Sequence, residues 1–353
     1  MKTIPQKLVK WFQANRRSLP WRDTDDPYAI WVSEVMLQQT QVNTVLPYYE
    51  RFLKMFPNIA TLAKSNQDHV LKCWEGLGYY ARAINFQKAS QMVVEQFSGQ
   101  VPSDPIVFRQ LPGVGDYINA AVQSIAFGHK MAVVDGNVRR VLSRLYEMTE
   151  TVNESKHAKI YAKKAQMLLC NQCPGDYNQA IMELGALICT PRNPQCNSCP
   201  LTNDCQAFRH DTVSVFPMRK KSPVTPTEKW VAAVIQRDNK FLLTRRKAGG
   251  FLGGLWEFPG GKMNNNETHK NACLRHIQEQ LQINIHIKHH VTQIKHTYTH
   301  FKQIMDAFLC QYHSGTIILN GPVDYKWIDW SEINQFALPK SNLKFLKKFE
   351  QQI

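Results

Sequence analysis

The sequence lacks any run of about 18 apolar residues of the kind a membrane-spanning helix needs. Its first residues, MKTIPQKLVKWFQANRR, have no apolar core of the sort a secretory signal carries. Both absences speak against a helical membrane protein or an exported one, and the expectation is a soluble, cytoplasmic chain. There is no internal repeat and no low-complexity tract. Negative charge is in short supply, with 28 Asp and Glu against 43 Lys and Arg and a formal net charge of +15. Such an imbalance attracts polyanions, and nucleic acid is the first candidate partner. A merely solvated basic surface is the plainer reading of the same excess. Nine cysteines in a cytoplasmic chain do not make a disulfide framework.

The 353 residues are enough for one or two domains, each with its own core. Residues 5 to about 205 carry apolar positions at helical spacing, as in LVKWFQ, AIWVSEVMLQ and KIYAKKAQMLL. Pro27, Pro47, Pro57, Pro102 and Pro112 punctuate them. The texture changes near Val213, where VSVFPMRKKSPVTPTEKW reads as a linker. Strand-like runs follow: WVAAVIQ, KFLLTRR, INIHIKHHV, QIMDAFLCQY and GTIIL. One helical stretch, about residues 266 to 282, interrupts them. The expected organisation is multidomain: an all-α domain over 1–212, a linker over 213–228 and an α+β domain over 229–353.

Cys189, Cys196, Cys199 and Cys205 lie within the seventeen residues CTPRNPQCNSCPLTNDC. Four thiolates at such spacing indicate a metal site, and both zinc and an iron–sulfur cluster accept that donor set. Cys170 and Cys173 form a further CxxC, read as structural. Cys73, Cys273 and Cys310 read as buried packing residues.

LPGVGDY, residues 111–117, is a tight turn opening a helix. Gly113, Val114 and Gly115 allow backbone N–H groups to approach an anion at a helix N-terminus, which suits a DNA phosphate. A plain helix–turn–helix connection explains the same pattern. No Gly-Lys-Ser/Thr follows, so it is not a nucleotide P-loop.

Two carboxylates stand in contrasting surroundings. Glu34 sits in AIWVSEVML, where desolvation raises a carboxyl pKa and keeps a proton available near neutrality. The plainer alternative is a solvated face of an apolar helix. Asp135 precedes GNVRRVLSRL, where a helix dipole and backbone N–H groups favour an ionised carboxylate. A simple N-cap is the competing reading.

Together with the cysteine loop and VVDGNVRRVLSR, LPGVG resembles the helix–hairpin–helix of the endonuclease III superfamily, over residues 5 to about 210. Within that superfamily, LPWRDTDDPYAIWVSEVMLQQTQVNTVLPYYERF and GLGYYARA resemble the adenine DNA glycosylases of the MutY type. The resemblance implies a helix–hairpin–helix glycosylase domain whose four clustered cysteines hold a 4Fe–4S cluster. It implies removal of adenine mispaired with 8-oxoguanine or guanine in double-stranded DNA, after the base is flipped out. Glu34 matches the catalytic acid that protonates N7, and Asp135 the aspartate that stabilises the sugar cation. Tyr117 and Asn137 match residues lining the same pocket, and Arg22 another pocket residue. Leu37, Gln39, Thr40 and Tyr79 match residues that wedge into the stack or touch base edges. Lyase members carry lysine where Tyr117 stands, and a phenol forms no Schiff base, so the resemblance implies a monofunctional enzyme. The alternatives are a bifunctional glycosylase/lyase for damaged pyrimidines and a non-enzymatic lesion-binding protein.

GLWEFPGGKMNNNETHKNACLRHIQEQLQI resembles a Nudix box. Gly261, Glu267, Arg275 and Glu279 fit the pattern. His276, Gln280 and Gln282 stand where it has Glu, Glu and Gly, which would cripple a Mg²⁺ site. The resemblance implies a Nudix-like domain that recognises 8-oxoguanine through Tyr298, Thr299 and His300 of KHTYTHFK. His289, His290 and His296 read as solvated groups facing DNA. The whole is expected to be a monomeric, bacterial, nucleoid-associated cytoplasmic protein with no membrane partner.

Overall fold

The structure is a computed structural model, and it describes residues 3–221 and 223–350. It divides into two compact units, one of residues 1–64 and 85–222, the other of 65–84 and 223–353. The break at residue 222 falls inside the segment read as a linker, while residues 65–84 belong to the second unit. Among the described residues no helix is long and apolar enough to cross a membrane.

The first unit is helical. In chain order its helices are α1 (Ile4–Asn15), α2 (Pro27–Leu37), α3 (Val42–Met55) and α4 (Ile59–Lys64). α5 (Gln67–Trp74) belongs to the second unit, and α6 (Ala81–Phe97) begins there and ends in the first. α7 (Pro105–Arg109), α8 (Asp116–Phe127), α9 (Gly136–Tyr146), α10 (Ala158–Met167), α11 (Pro174–Leu187) and α12 (Gln206–Arg209) complete the first unit. α2 is buried continuously from Tyr28 to Met36, as expected of a helix that is apolar all round. α9 is strongly two-faced, with Val138, Val141, Leu142 and Leu145 in a core shared with α1, α8, α10 and α11. Pro47, read as punctuation, instead lies inside α3.

The second unit centres on a seven-stranded sheet. Its strands are β1 (Thr227–Arg237), β2 (Lys240–Arg245), β3 (Trp256–Glu257), β4 (Gly260–Lys262), β5 (Asn284–Thr297), β6 (Lys302–Ser314) and β7 (Asp324–Ile328). The main path is β3-β2-β1-β6-β5, with β4 on β1 and β7 on β2. β1 and β6 run parallel over ten paired residues, while β5 and β6 form a long antiparallel pair. Strand alternation splits β1 between two cores. Ala232 and Val234 face one shared with α14 (Lys340–Phe349); Val231, Ala233 and Ile235 face one shared with α13 (His269–Leu281). GTIIL, expected as a strand, is not one. Its backbone bonds back to the end of α13, with Ile318 N–H on the Leu281 carbonyl.

Candidate active site

Glu34 occupies the middle of α2 and is 4 % exposed. It is therefore not on a solvated face. The phenol of Tyr117, second residue of α8, donates to Glu34 Oε2 at 2.7 Å and lies 3.4 Å from Met182 Sδ on α11. Burial pushes the Glu34 carboxyl up to about 7, Asp135 adds to the rise, and Tyr117 and Arg22 oppose it. Tyr117 itself is raised well above an ordinary phenol by burial and by Glu34, so it stays a neutral donor.

Asp135 is the N-cap of α9. Its Oδ1 accepts from Val138 N–H at 2.7 Å, and its Oδ2 from Asn137 Nδ2 at 3.1 Å. Burial pushes this carboxyl up as well, against hydrogen bonds from Val138 and Asn137 and the charge of Arg140. The helix dipole and capping N–H groups thus do not hold Asp135 below its ordinary range, as its position in the sequence suggested. The two carboxyls still differ in their donors. Asp135 accepts from an amide N–H and an amide side chain beside a guanidinium, while Glu34 receives one phenol. Of a single shared proton, Glu34 is the better holder.

Asn137 is kept in place by Arg140, whose Nη2 reaches Asn137 Oδ1 at 2.8 Å and the Gly185 carbonyl at 2.7 Å. Its Nε donates to the Cys189 carbonyl at 2.7 Å. Gly185 of α11 makes this approach possible: a Cβ there would sit 2.6 Å from Asn137 Cβ. Arg140 and Arg144 are 5 % and 4 % exposed, and both donate to main-chain carbonyls.

The Arg22 side chain is also largely covered, at 8 % exposed, and committed. It meets both oxygens of Glu183 at 2.9 and 3.0 Å, and Arg17 binds the same carboxylate. Burial works against the charge of Glu183, yet hydrogen bonds from Arg17 and Arg22 hold its carboxyl down at about 2. Glu183 was not singled out by the sequence analysis. Its setting in AIMELGALI carries the same signal that marked Glu34, a lone acid in an apolar helix.

In the hairpin before α8, Gly113 adopts φ +79, and a Cβ would stand 2.9 Å from Asn85 Cβ. Val114 is buried, and its carbonyl accepts from Arg109 at 2.6 Å. Gly115 is the N-cap of α8 and offers no side-chain acceptor to the helix start. Leu37 ends α2, and the exposed Gln39 beyond it takes a left-handed conformation at φ 57, with Thr40 N–H closing the turn on the Leu37 carbonyl.

Cys189, Cys196, Cys199 and Cys205 line one cavity with Arg144 and Ile188. Burial raises the thiols of Cys196, Cys199 and Cys205, the second to about 12, and each is raised further by neighbouring cysteines. Among the described residues no three His, Cys, Asp or Glu are drawn to metal-ligand spacing. The donor set nevertheless fits a positively charged thiophilic centre, since four thiols converge on one cavity and such a centre offsets the burial that raises Cys196, Cys199 and Cys205. Arg144 adds a donor, its Nη1 lying 3.4 Å from Cys189 Sγ.

In the second unit, Tyr79 is 44 % exposed, adopts φ 49, and shares a 2.8 Å hydrogen bond with Thr299 Oγ1. Thr299 and His300 are exposed at the β5–β6 turn. Tyr298 turns inward, its hydroxyl donating to Ser341 Oγ at 3.0 Å and its ring against Phe251, Phe301 and His296. His290 is exposed and pairs with Asp306 at 2.7 Å. His296 is pushed down to about 4 by burial and by Lys344 and Lys340, so it is neutral. On α13, Arg275 holds Glu267 and Glu279, while His276 and Gln280 bond the carbonyls of Lys262 and Gly260 at 2.8 Å each.

A helical hairpin unit with paired buried carboxyls and a cysteine loop, on the same chain as a Nudix-type sheet, defines a helix–hairpin–helix DNA glycosylase with a Nudix-like domain. Residues 32–167 match the HhH-GPD superfamily base excision DNA repair proteins, and residues 230–348 match the NUDIX domain. The chain is 32% identical to the adenine DNA glycosylase of Buchnera aphidicola subsp. Schizaphis graminum, over 98% of each protein. It is 33% identical to that of Mus musculus, over 97% of this chain and 77% of the relative. A thermostable thymine-DNA glycosylase superposes with a TM-score of 0.54 at 29% identity, covering 58% of this chain and 95% of the other. The chain belongs to the adenine DNA glycosylase family, enzymes of base excision repair.

Proposed function

We propose that the enzyme is a monofunctional glycosylase that hydrolyses the N-glycosidic bond of adenine opposite 8-oxoguanine or guanine in double-stranded DNA. The observation that carries this reading is the buried pair around Tyr117: a carboxyl held near pKa 7 by burial, bonded to a phenol where a lyase needs an amine. Glu34 donates its proton to N7 of a flipped adenine and so makes the base a better leaving group. Asp135, held by Val138 N–H and Asn137, faces the sugar cation and stabilises it. Lone adenine must leave the stack, and the exposed turn at Gln39 supports a role at the DNA. The hairpin at Gly113–Gly115 supports a phosphate contact. Tyr79, Thr299 and His300, exposed on the Nudix-like unit, read the opposite base.

Cys189, Cys196, Cys199 and Cys205 hold a 4Fe–4S cluster, which supplies structural cross-linking of the C-terminal loop of the helical unit.

The test is single-turnover strand cleavage on duplexes with adenine opposite 8-oxoguanine, guanine or thymine. The reading requires cleavage of the adenine strand only, only after alkali, and fastest opposite 8-oxoguanine. Cleavage without alkali, or borohydride trapping on DNA, would replace it with the lyase reading.

A further inference from the structure

Cys170 and Cys173 stand apart from the cluster loop in sequence, and the chemistry proposed above leaves them unused. Their sulfurs lie 2.7 Å apart across the CxxC turn, closed by Cys173 N–H on the Cys170 carbonyl. That separation is only about 0.7 Å longer than a disulfide bond. Both are free thiols. Cys173 is part-exposed, whereas Cys170 is 8 % exposed and packs in the helical core. Cys173 is the N-cap of α11 and makes no side-chain cap hydrogen bond, so its sulfur is free of a structural duty there. The pair thus has one sulfur that solvent reaches and a second waiting behind it, the arrangement that thiol–disulfide exchange needs. Cys273 and Cys310 provide a contrast within the same chain, because both are at most 1 % exposed.

We infer that Cys170 and Cys173 form a redox-convertible dithiol, a modification site that closes by exchange with low-molecular-weight disulfides. Cys173 loses its proton to solvent and its thiolate attacks one sulfur of the incoming disulfide, breaking that bond and releasing one thiolate. Cys170, deprotonated in turn, attacks Cys173 Sγ, forms the intrachain disulfide and releases the second thiolate. The two released thiolates take up two protons, so the protein pair is oxidised and the small disulfide is reduced to two thiols. Burial and the neighbouring Cys170 push the Cys173 thiol up to about 12, which makes the first attack slow rather than forbidden. The site lies at the head of the helix that carries Asn178, Met182 and Glu183 into the helical core.

The experiment uses the full-length, cluster-loaded protein and oxidised glutathione as the probe, with native alkylation, trypsin digestion and fragment mass spectrometry. The fragment 165–192, which also carries Cys189, is expected to lose two hydrogens, with the bond mapped to Cys170 and Cys173, Cys189 outside it, and reversal by reduced glutathione. Cys273 and Cys310 are expected to stay reduced. In Cys170→Ser the intrachain bond is expected to be absent and a glutathione adduct to persist on Cys173. Free thiols at both Cys170 and Cys173 in the wild type after prolonged exposure would overturn the inference. So would a persistent adduct on wild-type Cys173, since it would mean that Cys170 does not resolve it.

Discussion

Arg140 Nε donates to the carbonyl oxygen of Cys189 while its Nη2 donates to Asn137 Oδ1. One guanidinium thereby links the first of the four clustered cysteines to the residue that holds Asp135. A lysine presents one point charge and cannot span these acceptors. Arg140→Lys is expected to lower excision about tenfold or more, the cost of losing buried charge-assisted hydrogen bonds. Iron content and visible absorbance, measured beside the excision rate, are expected to fall as well. Full excision with an intact cluster would show that Asn137 does not depend on Arg140.

The Glu34–Tyr117 bond fixes a pH dependence. With Glu34 as the proposed acid, excision is expected to be greatest below about pH 7 and to decline above it as the carboxyl ionises. Tyr117 lowers the Glu34 pKa through its hydrogen bond. Tyr117→Phe is therefore expected to move the alkaline limb of the single-turnover profile to higher pH. A limb that stays put, or moves down, would assign that ionisation to another group. Glu34→Gln and Asp135→Asn are each expected to abolish excision while duplex binding is kept.

Glu183 carries a structural prediction. Removing it leaves the guanidiniums of Arg17 and Arg22 without their shared carboxylate, and Glu183→Ala is expected to cost about 3–5 kcal/mol, less whatever screening the partly exposed Arg17 allows. The depressed pKa also fixes the sign of a pH effect. The stabilisation is full above the unfolded carboxylate pKa of about 4.3 and is lost as pH falls toward the folded value of about 2. Thermal midpoints of the wild type and Glu183→Ala are expected to converge over that acidic window and to differ most above it.

Thr299 and Tyr79 share a hydroxyl–hydroxyl bond in the second unit. Thr299→Val and Tyr79→Phe are each expected to reduce the preference for 8-oxoguanine over guanine about fivefold, the scale of one neutral hydrogen bond. The double variant is expected to show less than the product of the two, because both remove the same bond. Strict additivity would mean that the two residues act on DNA independently.

Much of this arrangement could be read from residue patterns, and the misses have physical causes. The apolar run around Glu34 left a buried carboxyl and a solvated helix face both open, and burial of α2 along its length decides for the first. The same pattern surrounds Glu183, but the arginines that neutralise it lie more than 160 residues away and leave no local mark. The burial of Arg140 and Arg144 is hidden from the sequence for a related reason. Their acceptors are main-chain carbonyls of a distant loop, and carbonyls leave no trace in the sequence. β3 and β4 are two and three residues long, too short for alternation to appear. GTIIL had the composition of a strand, yet its N–H groups went to the end of a helix. Helix α13 was legible because Thr268 caps it and its buried face is periodic.

Gly185 has a consequence for how this enzyme tolerates change. It sits on a helix remote in sequence from both carboxyls, and it touches Asn137 so closely that a single methyl group cannot enter without displacing it. Ordinary packing defects loosen a protein as a whole. A defect at this position would be delivered straight to the residue that bonds Asp135, so under the proposed role of Asp135 the reaction would fail before the fold does. The separation of α9 from α11 works as a gauge for the chemistry, set by the absence of one carbon atom.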